Sequence, residues 1–207
     1  MTFAIGLFDI FTYAIPGALH LAVLAYVAGR LHWVDLAAVA RGPGVVVVIG
    51  IVVASYLLGY LAYPLGARVS RWLPRRRKRN AREEFLRRNP AARGCAFVEA
   101  DSFLLLSALQ LHDADAAMEA TRVRTTGLML RNSSPAMAFG FVASAVELIA
   151  GPHRVFAACA AALFAVACPV LVAQSRMLTH WANVKTLELS FWVPEVEETL
   201  AARRKTE

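Results

Sequence analysis

The chain has 207 residues, of which 58% are hydrophobic, and its formal net charge is +7 at pH 7. A soluble domain of this length is usually nearer half apolar and disperses its apolar residues with helix or strand periodicity, whereas here they form long blocks. This composition excludes an ordinary water-soluble globular domain and favours a chain that crosses a lipid bilayer.

Two apolar blocks in the first third of the chain are long enough to cross a bilayer as helices. They run from Phe8 to Gly29 and from Val45 to Tyr63, and about 20 residues of helix span roughly 30 Å of hydrocarbon. Pro16 and Gly17 interrupt the first block, but neighbouring membrane helices tolerate such a kink. We therefore predict spans 1 and 2 here, joined by a short loop.

A basic segment follows the second span. From Arg68 to Arg93 it holds eleven of the 22 Lys and Arg residues in the chain. Such a segment between apolar spans resists translocation and should remain in the cytoplasm. It should also bind anionic lipid headgroups, because each basic residue near an anionic surface gains about 1 kcal/mol. The predicted headgroup or ligand contacts are Arg71, Arg75, Arg76, Arg77, Lys78, Arg79 and Arg82.

Two other classes of anionic partner are to be weighed for the basic segment. An anionic small molecule such as a nucleotide could bind the segment as a trigger. Nucleic acid is disfavoured, because stacking on single strands needs interleaved aromatic side chains and only Trp72 and Phe85 are offered. Asn80 is predicted to cap a short helix that stops before Asn89.

The region from Ala96 to Arg131 predicts two further helices, the first beginning near Ser102. It is too small to bury a large core alone, so we expect it to pack on the membrane helices, the basic segment or a second subunit. His112, Asp113 and Asp115 lie in the turn between the two helices, where an aspartate is expected to cap the second one. A metal or hydrolytic site there would need further carboxylates from elsewhere.

Two more spans are predicted, from Pro135 to Ala150 and from Val155 to Ala173. Pro135 suits the first turn of a helix capped by the polar run 132–134. Past the fourth span the helix should continue until Pro194 interrupts it, and a short final helix follows. Small residues recur at helical spacing in three of the spans and predict close helix packing. They are Ser55 and Gly59; Ala136, Gly140 and Ser144; and Ala157, Ala161 and Ala165.

Four spans place both termini on one side. The basic segment, Arg176, Lys185 and the basic tail then lie in the cytoplasm, which is the asymmetry that bacterial membrane proteins show. The N-terminal tail alone, which has no Lys or Arg, would orient the first helix the other way, and the much larger basic segment decides. The predicted divisions are spans 1 and 2 at 1–66, a basic helical cytosolic region at 67–133, spans 3 and 4 at 134–174, and a cytosolic helical extension at 175–207.

His20 and Glu147 are ionisable residues inside predicted spans. Counted from the inner edge of each span, both lie about 18–20 Å deep, so they could meet in the outer half of the bundle. Ionisable groups in hydrocarbon usually face a partner or a wet cavity. The alternatives are an interhelical hydrogen bond, a Glu147 that reaches the outer interface, and a polar lining for an ion, proton or ligand path.

The opening segment FDIFTYAIPG, residues 8–17, joins an acidic residue, a short aromatic run and a Pro-Gly pair. In this it resembles the start of uncharacterised small bacterial four-span membrane proteins, and the general layout resembles membrane effectors of anti-phage defence. The resemblance implies an inner-membrane protein switched by a nucleotide or protein signal. It carries no active site, so it implies no catalytic residue.

Three functions compete. The favoured one is a non-enzymatic homo-oligomeric protein of the inner membrane that forms a signal-gated pore or disrupts the membrane. A membrane enzyme acting on a lipid or isoprenoid phosphate would have to use the His112, Asp113 and Asp115 group. An adaptor subunit of a larger complex would suit the thin cytosolic region. The sequence predicts no catalytic residue, metal ligand or cofactor.

Overall fold

The computed structural model describes the backbone of residues 2–74 and 80–204, and the side chains of residues 12–74 and 80–202 apart from Leu36 and Ala40. The described residues are mostly helical and contain no β-strand. Four of the helices are long and apolar enough to cross a membrane. The prediction of an all-α membrane protein is therefore confirmed.

The helices follow one another with short connections. In chain order they are α1 Thr2–Arg30, α2 Leu36–Ala40, α3 Gly44–Trp72, α4 Ala81–Arg88, a 3₁₀ turn Pro90–Ala92, α5 Ala96–Glu99, α6 Ser102–His112, α7 Ala114–Ala150, α8 Arg154–Trp192 and α9 Pro194–Arg204. The membrane-length helices are α1, α3, α7 and α8.

The apolar surfaces of these long helices face outward. Only 17% of the residues in the most apolar windows of α3 and α8 are buried. Val45 and Leu61 of α3 are 74% and 65% exposed. A water-soluble protein rarely exposes apolar surface on this scale, whereas lipid-facing helices must.

One predicted helix boundary is wrong. The sequence suggested that a new helix begins at Pro135, but α7 runs through it as a single helix of 37 residues. Proline lacks the N–H that would bond to the carbonyl of Arg131 four residues earlier. The Ser134 hydroxyl donates to that carbonyl at 2.8 Å, and the Ser133 hydroxyl donates to the carbonyl of Met129 at 2.9 Å. The Ser134 bond therefore satisfies the carbonyl that Pro135 leaves without a backbone donor.

The second span also extends further than predicted. The apolar block ends near Tyr63, but α3 continues through Pro64 to Trp72. The helix therefore carries the first part of the basic segment on its last turns. By contrast, the cap at Asn80 is confirmed, since Asn80 accepts from the backbone N–H of Arg82 at 3.2 Å. The helix predicted to begin near Ser102 does so, and Asp101 caps it by accepting from the backbone N–H of Phe103 at 2.8 Å.

The fold divides into two compact units. Unit 1 contains Met1–Pro74 and Leu128–Ser175, and unit 2 contains Arg75–Gly127 and Arg176–Glu207. Helices α7 and α8 each contribute residues to both units. Unit 1 holds the membrane-length apolar segments.

Unit 1 depends on a very close approach of α1 and α3. A Cβ atom added at Gly17 would run into the Ser55 carbonyl and the backbone nitrogen of Gly59, and one added at Gly59 would run into the Tyr13 carbonyl. The Tyr13 ring also packs against Tyr56 of α3, with 6.0 Å between ring centroids. The predicted small-residue face of α3 is thus used within the chain.

The other small-residue faces are largely buried within unit 1 as well. Gly140 packs against the Phe164 ring, Ala136 is fully buried and Ser144 is 8% exposed. On α8, Ala157 and Ala161 are buried whereas Ala165 is exposed. These faces therefore join helices of one chain, and they leave little small-residue surface for a second copy.

Unit 2 folds around an aromatic cluster. Phe85, Phe97 and Phe191 lie with ring centroids 6.0–6.4 Å apart, at the angles that favour edge-to-face contacts. From α9, the Glu197 carboxylate accepts hydrogen bonds from the backbone N–H groups of Ala96 and Phe97 at 2.8 and 3.0 Å. The C-terminal helices thus supply the core that the 96–131 region is too small to form alone.

Alanine at Gly17 or Gly59 should destabilise unit 1, because the added methyl group would meet backbone atoms that cannot rotate away. Overpacking of this kind costs roughly 1–3 kcal/mol. Gly50 is the matched control on α3, since a Cβ added there meets nothing within 4 Å. Thermal unfolding in detergent should show lower midpoints for Gly17→Ala and Gly59→Ala and an unchanged or higher midpoint for Gly50→Ala. Equal midpoints for the three variants would contradict the close approach of α1 and α3.

Candidate functional site

Two of the seven predicted headgroup contacts lie in the part of the chain that the structure describes. Arg71 lies on the last turn of α3 and Arg82 at the start of α4, and both side chains are exposed. The remaining residues lie outside the part of the chain that the structure describes; they are Arg75, Arg76, Arg77, Lys78 and Arg79. Headgroup binding by the basic segment stays a prediction.

Part of the basic segment has a structural role in unit 2. Arg88 pairs with Glu84 at 2.6 Å and lies 5.2 Å from the centroid of the Trp181 ring. Glu84 is also bonded to Nε2 of the buried His180 at 2.7 Å. Charge at this end of the segment is therefore used to hold α4 against α8.

The acidic turn before α7 is a helix cap, as predicted. Asp113 Oδ1 accepts hydrogen bonds from the backbone N–H groups of Asp115 and Ala116 at 3.1 and 3.0 Å. Among the described residues no three His, Cys, Asp or Glu side chains are placed to hold a metal ion. Burial raises the pKa of the Cys95 thiol, and the Glu197 carboxylate raises it further, so Cys95 stays protonated near neutral pH.

Glu147 is partnered by Arg30 rather than by His20. The Arg30 Nε and Nη2 atoms donate to the two carboxylate oxygens at 2.7 and 2.9 Å, which is the bidentate geometry of strong Arg–carboxylate pairs. Glu147 is only 6% exposed, so this ion pair ties the C-terminal end of α7 to the C-terminal end of α1.

His20 lies elsewhere in unit 1. Its Nδ1 atom is 2.7 Å from the Pro16 carbonyl oxygen, and its ring meets the Phe139 ring edge-on, with centroids 6.4 Å apart. Phe139 and Glu147 are eight residues apart, or about 12 Å along a helix. The expected meeting of His20 with Glu147 is therefore wrong. Counting depth from the inner edges missed Arg30, which lies just past the predicted end of span 1.

The interior of unit 1 contains several polar side chains. His20, Ser55, Asn132 and Ser144 are all at least nine-tenths buried and come from α1, α3 and α7. His20 Nε2, Ser55 Oγ and both amide atoms of Asn132 have no hydrogen-bond partner among the described residues. Buried polar groups inside membrane proteins usually face a partner or a wet cavity.

Arg131 and Asn132 form the most unusual part of this interior. The Arg131 guanidinium stacks on the Tyr63 ring, 4.6 Å from its centroid. Its Nε and Nη2 atoms are buried, and no described residue accepts a hydrogen bond from them. Gly66 of α3 packs directly against the Arg131 carbonyl and the Asn132 Cα atom. Sequence reasoning treated Asn132 only as a helix cap, because Pro135 suggested a helix start.

No protein-family model, curated protein or solved structure matches this chain. The resemblance to small bacterial membrane proteins and anti-phage effectors therefore remains an expectation. Function is therefore inferred from the ion pairs and buried polar side chains of the described residues.

Removing the Glu147 charge should lower the stability of unit 1. The Glu147→Gln substitution keeps the side-chain shape but leaves Arg30 without its bidentate partner, so the midpoint of thermal unfolding in detergent should fall. The Glu119–Lys185 pair is the control, because Glu119 is 58% exposed and surface pairs contribute little. Glu119→Gln should leave the midpoint unchanged.

A double-mutant cycle tests the Arg30–Glu147 pair itself. Arg30→Gln combined with Glu147→Gln should destabilise by less than the sum of the two single changes, because either change alone already removes the pair. Strictly additive effects would contradict the pairing.

Proposed function

We propose that this protein is a non-enzymatic, oligomeric protein of a bacterial inner membrane that alters the permeability of the bilayer when its cytoplasmic part receives a signal. Unit 1 is the membrane bundle, and unit 2, together with both termini, lies in the cytoplasm. The signal is an anionic small molecule or a protein. This arrangement is that of a signal-gated pore or membrane-disrupting effector.

The observation that carries the proposal is the continuity of α7 and α8. The first passes from unit 2 to unit 1 between Gly127 and Leu128, and the second passes from unit 1 to unit 2 between Ser175 and Arg176, without a break in either helix. A helix that runs without a break through two compact units is an element through which a change in one unit can bias the other. A signal bound to unit 2 would act on the helices that line the bundle.

The polar interior of unit 1 supports a permeability function. Apolar side chains at His20, Ser55 and Ser144 would cost nothing to bury, whereas these polar side chains need partners or water. His20 Nε2 and Ser55 Oγ have no such partner among the described residues. Water or an ion entering the bundle would satisfy them.

Oligomerisation is supported by α6 in unit 2. This helix buries Leu105, Ala108 and Leu109 on one face, while Phe103 and Leu111 on another face are 68% and 85% exposed. Because the small-residue faces of the bundle are used within the chain, we assign the contact between copies to this apolar face. We assign this face to a second copy of the chain, because such a contact requires no other protein.

Reconstitution tests the permeability proposal. Liposomes that contain the purified protein and an entrapped potassium-sensitive dye should exchange potassium faster than empty liposomes. Ser144→Leu should reduce that flux at least severalfold, because it replaces a buried polar side chain with an apolar one. Val146→Leu is the matched control, since Val146 is 59% exposed on the same helix and should leave the flux unchanged.

Gating is tested with Phe85→Ala, which opens a cavity in the aromatic cluster of unit 2. Loss of a buried Phe side chain costs roughly 3–5 kcal/mol, so the packing of α8 in unit 2 should change and the flux with it. Wild-type and Phe85→Ala liposomes that are both as tight as empty ones would contradict the proposal.

The oligomer is tested by measuring the molar mass of the protein–detergent complex. Leu111→Lys should shift the protein towards monomer, because it places a charge in the apolar contact. Thr126→Lys adds the same charge at an exposed position of α7 in unit 2, outside α6, and should leave the mass unchanged. A wild-type protein that is strictly monomeric would contradict oligomerisation, and a stoichiometric foreign subunit would favour an adaptor role instead.

A further inference from the structure

Two arginines of unit 1 differ in whether the Nε and Nη2 edge of the guanidinium group has an acceptor. In Arg30 the Nε and Nη2 atoms donate hydrogen bonds to the two carboxylate oxygens of Glu147. In Arg131 the same two atoms are buried and meet no acceptor among the described residues. This edge is the one that pairs bidentately with a carboxylate or a phosphate. Arg131 is therefore shaped for an anion that the described residues do not provide.

Carboxylates of the unit do not compensate this charge. Among the side chains described in unit 1, the carboxylates are those of Asp35 and Glu147. Asp35 caps α2 by accepting from two backbone N–H groups, and Glu147 is held by Arg30. The Tyr63 ring covers one face of the Arg131 guanidinium but offers no acceptor to its edge. Two buried donor atoms without an acceptor are costly, so an anion at this edge would stabilise the fold.

The neighbouring residue supplies a second, independent indication of a ligand. Asn132 is fully buried, and neither its amide nitrogen nor its amide oxygen has a partner among the described residues. Buried amides are nearly always hydrogen-bonded, so this side chain needs a donor and an acceptor from outside the described residues. A phosphate ester with a nearby hydroxyl or bound water provides both.

The position along the helices indicates where such an anion comes from. Tyr63 and Gly66 of α3 contact Arg131, and the apolar run of α3 ends directly after them, at Arg68. On α7, residues 132–146 carry no charge. Arg131 therefore lies at the boundary of the apolar span, which is the depth of lipid headgroups.

We propose that Arg131, together with Asn132, forms a binding site for a single phosphate group at the cytoplasmic edge of the bundle. The phosphate belongs to an anionic phospholipid or to a small soluble phosphate compound, and the guanidinium recognises both through the same two oxygens. This site is separate from the basic segment, because it is buried and built on α7. It goes beyond the permeability function and would stand if that function failed.

The experiment is a thermal-unfolding measurement on delipidated full-length protein in detergent. The probes are phosphatidylglycerol, diacylglycerol as the same lipid without phosphate, and inorganic phosphate. Phosphatidylglycerol should raise the midpoint of the wild type, and diacylglycerol should not. Arg131→Gln should weaken the apparent affinity at least tenfold, since a charge-assisted hydrogen-bonded pair is lost. Arg154→Gln, at an exposed arginine of α8, is the control and should retain the full response.

The outcomes separate the two sources. A full response to inorganic phosphate that Arg131→Gln removes would support the site and assign it to a soluble anion. A response to phosphatidylglycerol alone would support it as a lipid site. A wild type that responds to neither probe, or an Arg131→Gln variant that responds like the wild type, would overturn the proposal.

A second variant keeps the test valid if Arg131→Gln does not fold. Arg131→Lys retains the charge but loses the two-pronged edge. Native mass spectrometry should find one phosphatidylglycerol retained on the wild type and less retained on Arg131→Lys. Equal retention by both proteins, together with an equal response of both to inorganic phosphate in thermal unfolding, would overturn the proposal.

Discussion

Polar backbone groups that enter hydrocarbon must be satisfied inside the protein, and this requirement governs α7. Pro135 removes one N–H from the middle of the helix, and the Ser134 hydroxyl replaces it by donating to the Arg131 carbonyl. Without that bond the Arg131 carbonyl would lack a donor, which would favour a break in the helix where the apolar span begins. Because it does not break, Arg131, Ser144 and Glu147 are held at fixed spacing on one rigid element.

An arginine lies at each end of the apolar part of α7, but only one of the two is paired with a described carboxylate. At one end Glu147 and Arg30 neutralise each other in bidentate geometry. At the other end Arg131 has an aromatic ring on its face but no acceptor at its buried edge. The Arg30 side chain is 46% exposed, whereas the Nε and Nη2 atoms of Arg131 are buried and bear the cost of leaving water. Only Arg30 is paired with a described side chain, which is why Arg131 is the more informative about a ligand.

Sequence reasoning succeeded where one local property decides the structure. The length and continuity of the apolar blocks identified the four spans, and short-range capping identified the helix starts at Asn80 and Asp113. It failed where a distant residue decides. Pro135 suggests a helix start unless the Ser134 bond is known, and the partner of Glu147 lies 117 positions away in the chain. Depth counting could not choose between Arg30 and His20, because both lie on α1.

The buried polar side chains of unit 1 are best understood against the way the rest of it packs. Gly17 and Gly59 let α1 and α3 touch backbone to backbone, so this interface contributes stability through shape alone. A bundle that packs so closely has no need of His20, Ser55 or Asn132 in its interior, and leucine or alanine there would spare the cost of desolvating them. Stability alone therefore does not account for these residues. The hydrogen-bonding atoms that no described residue satisfies point to something polar that enters the bundle or binds at its edge, and function should be sought there rather than in the basic segment.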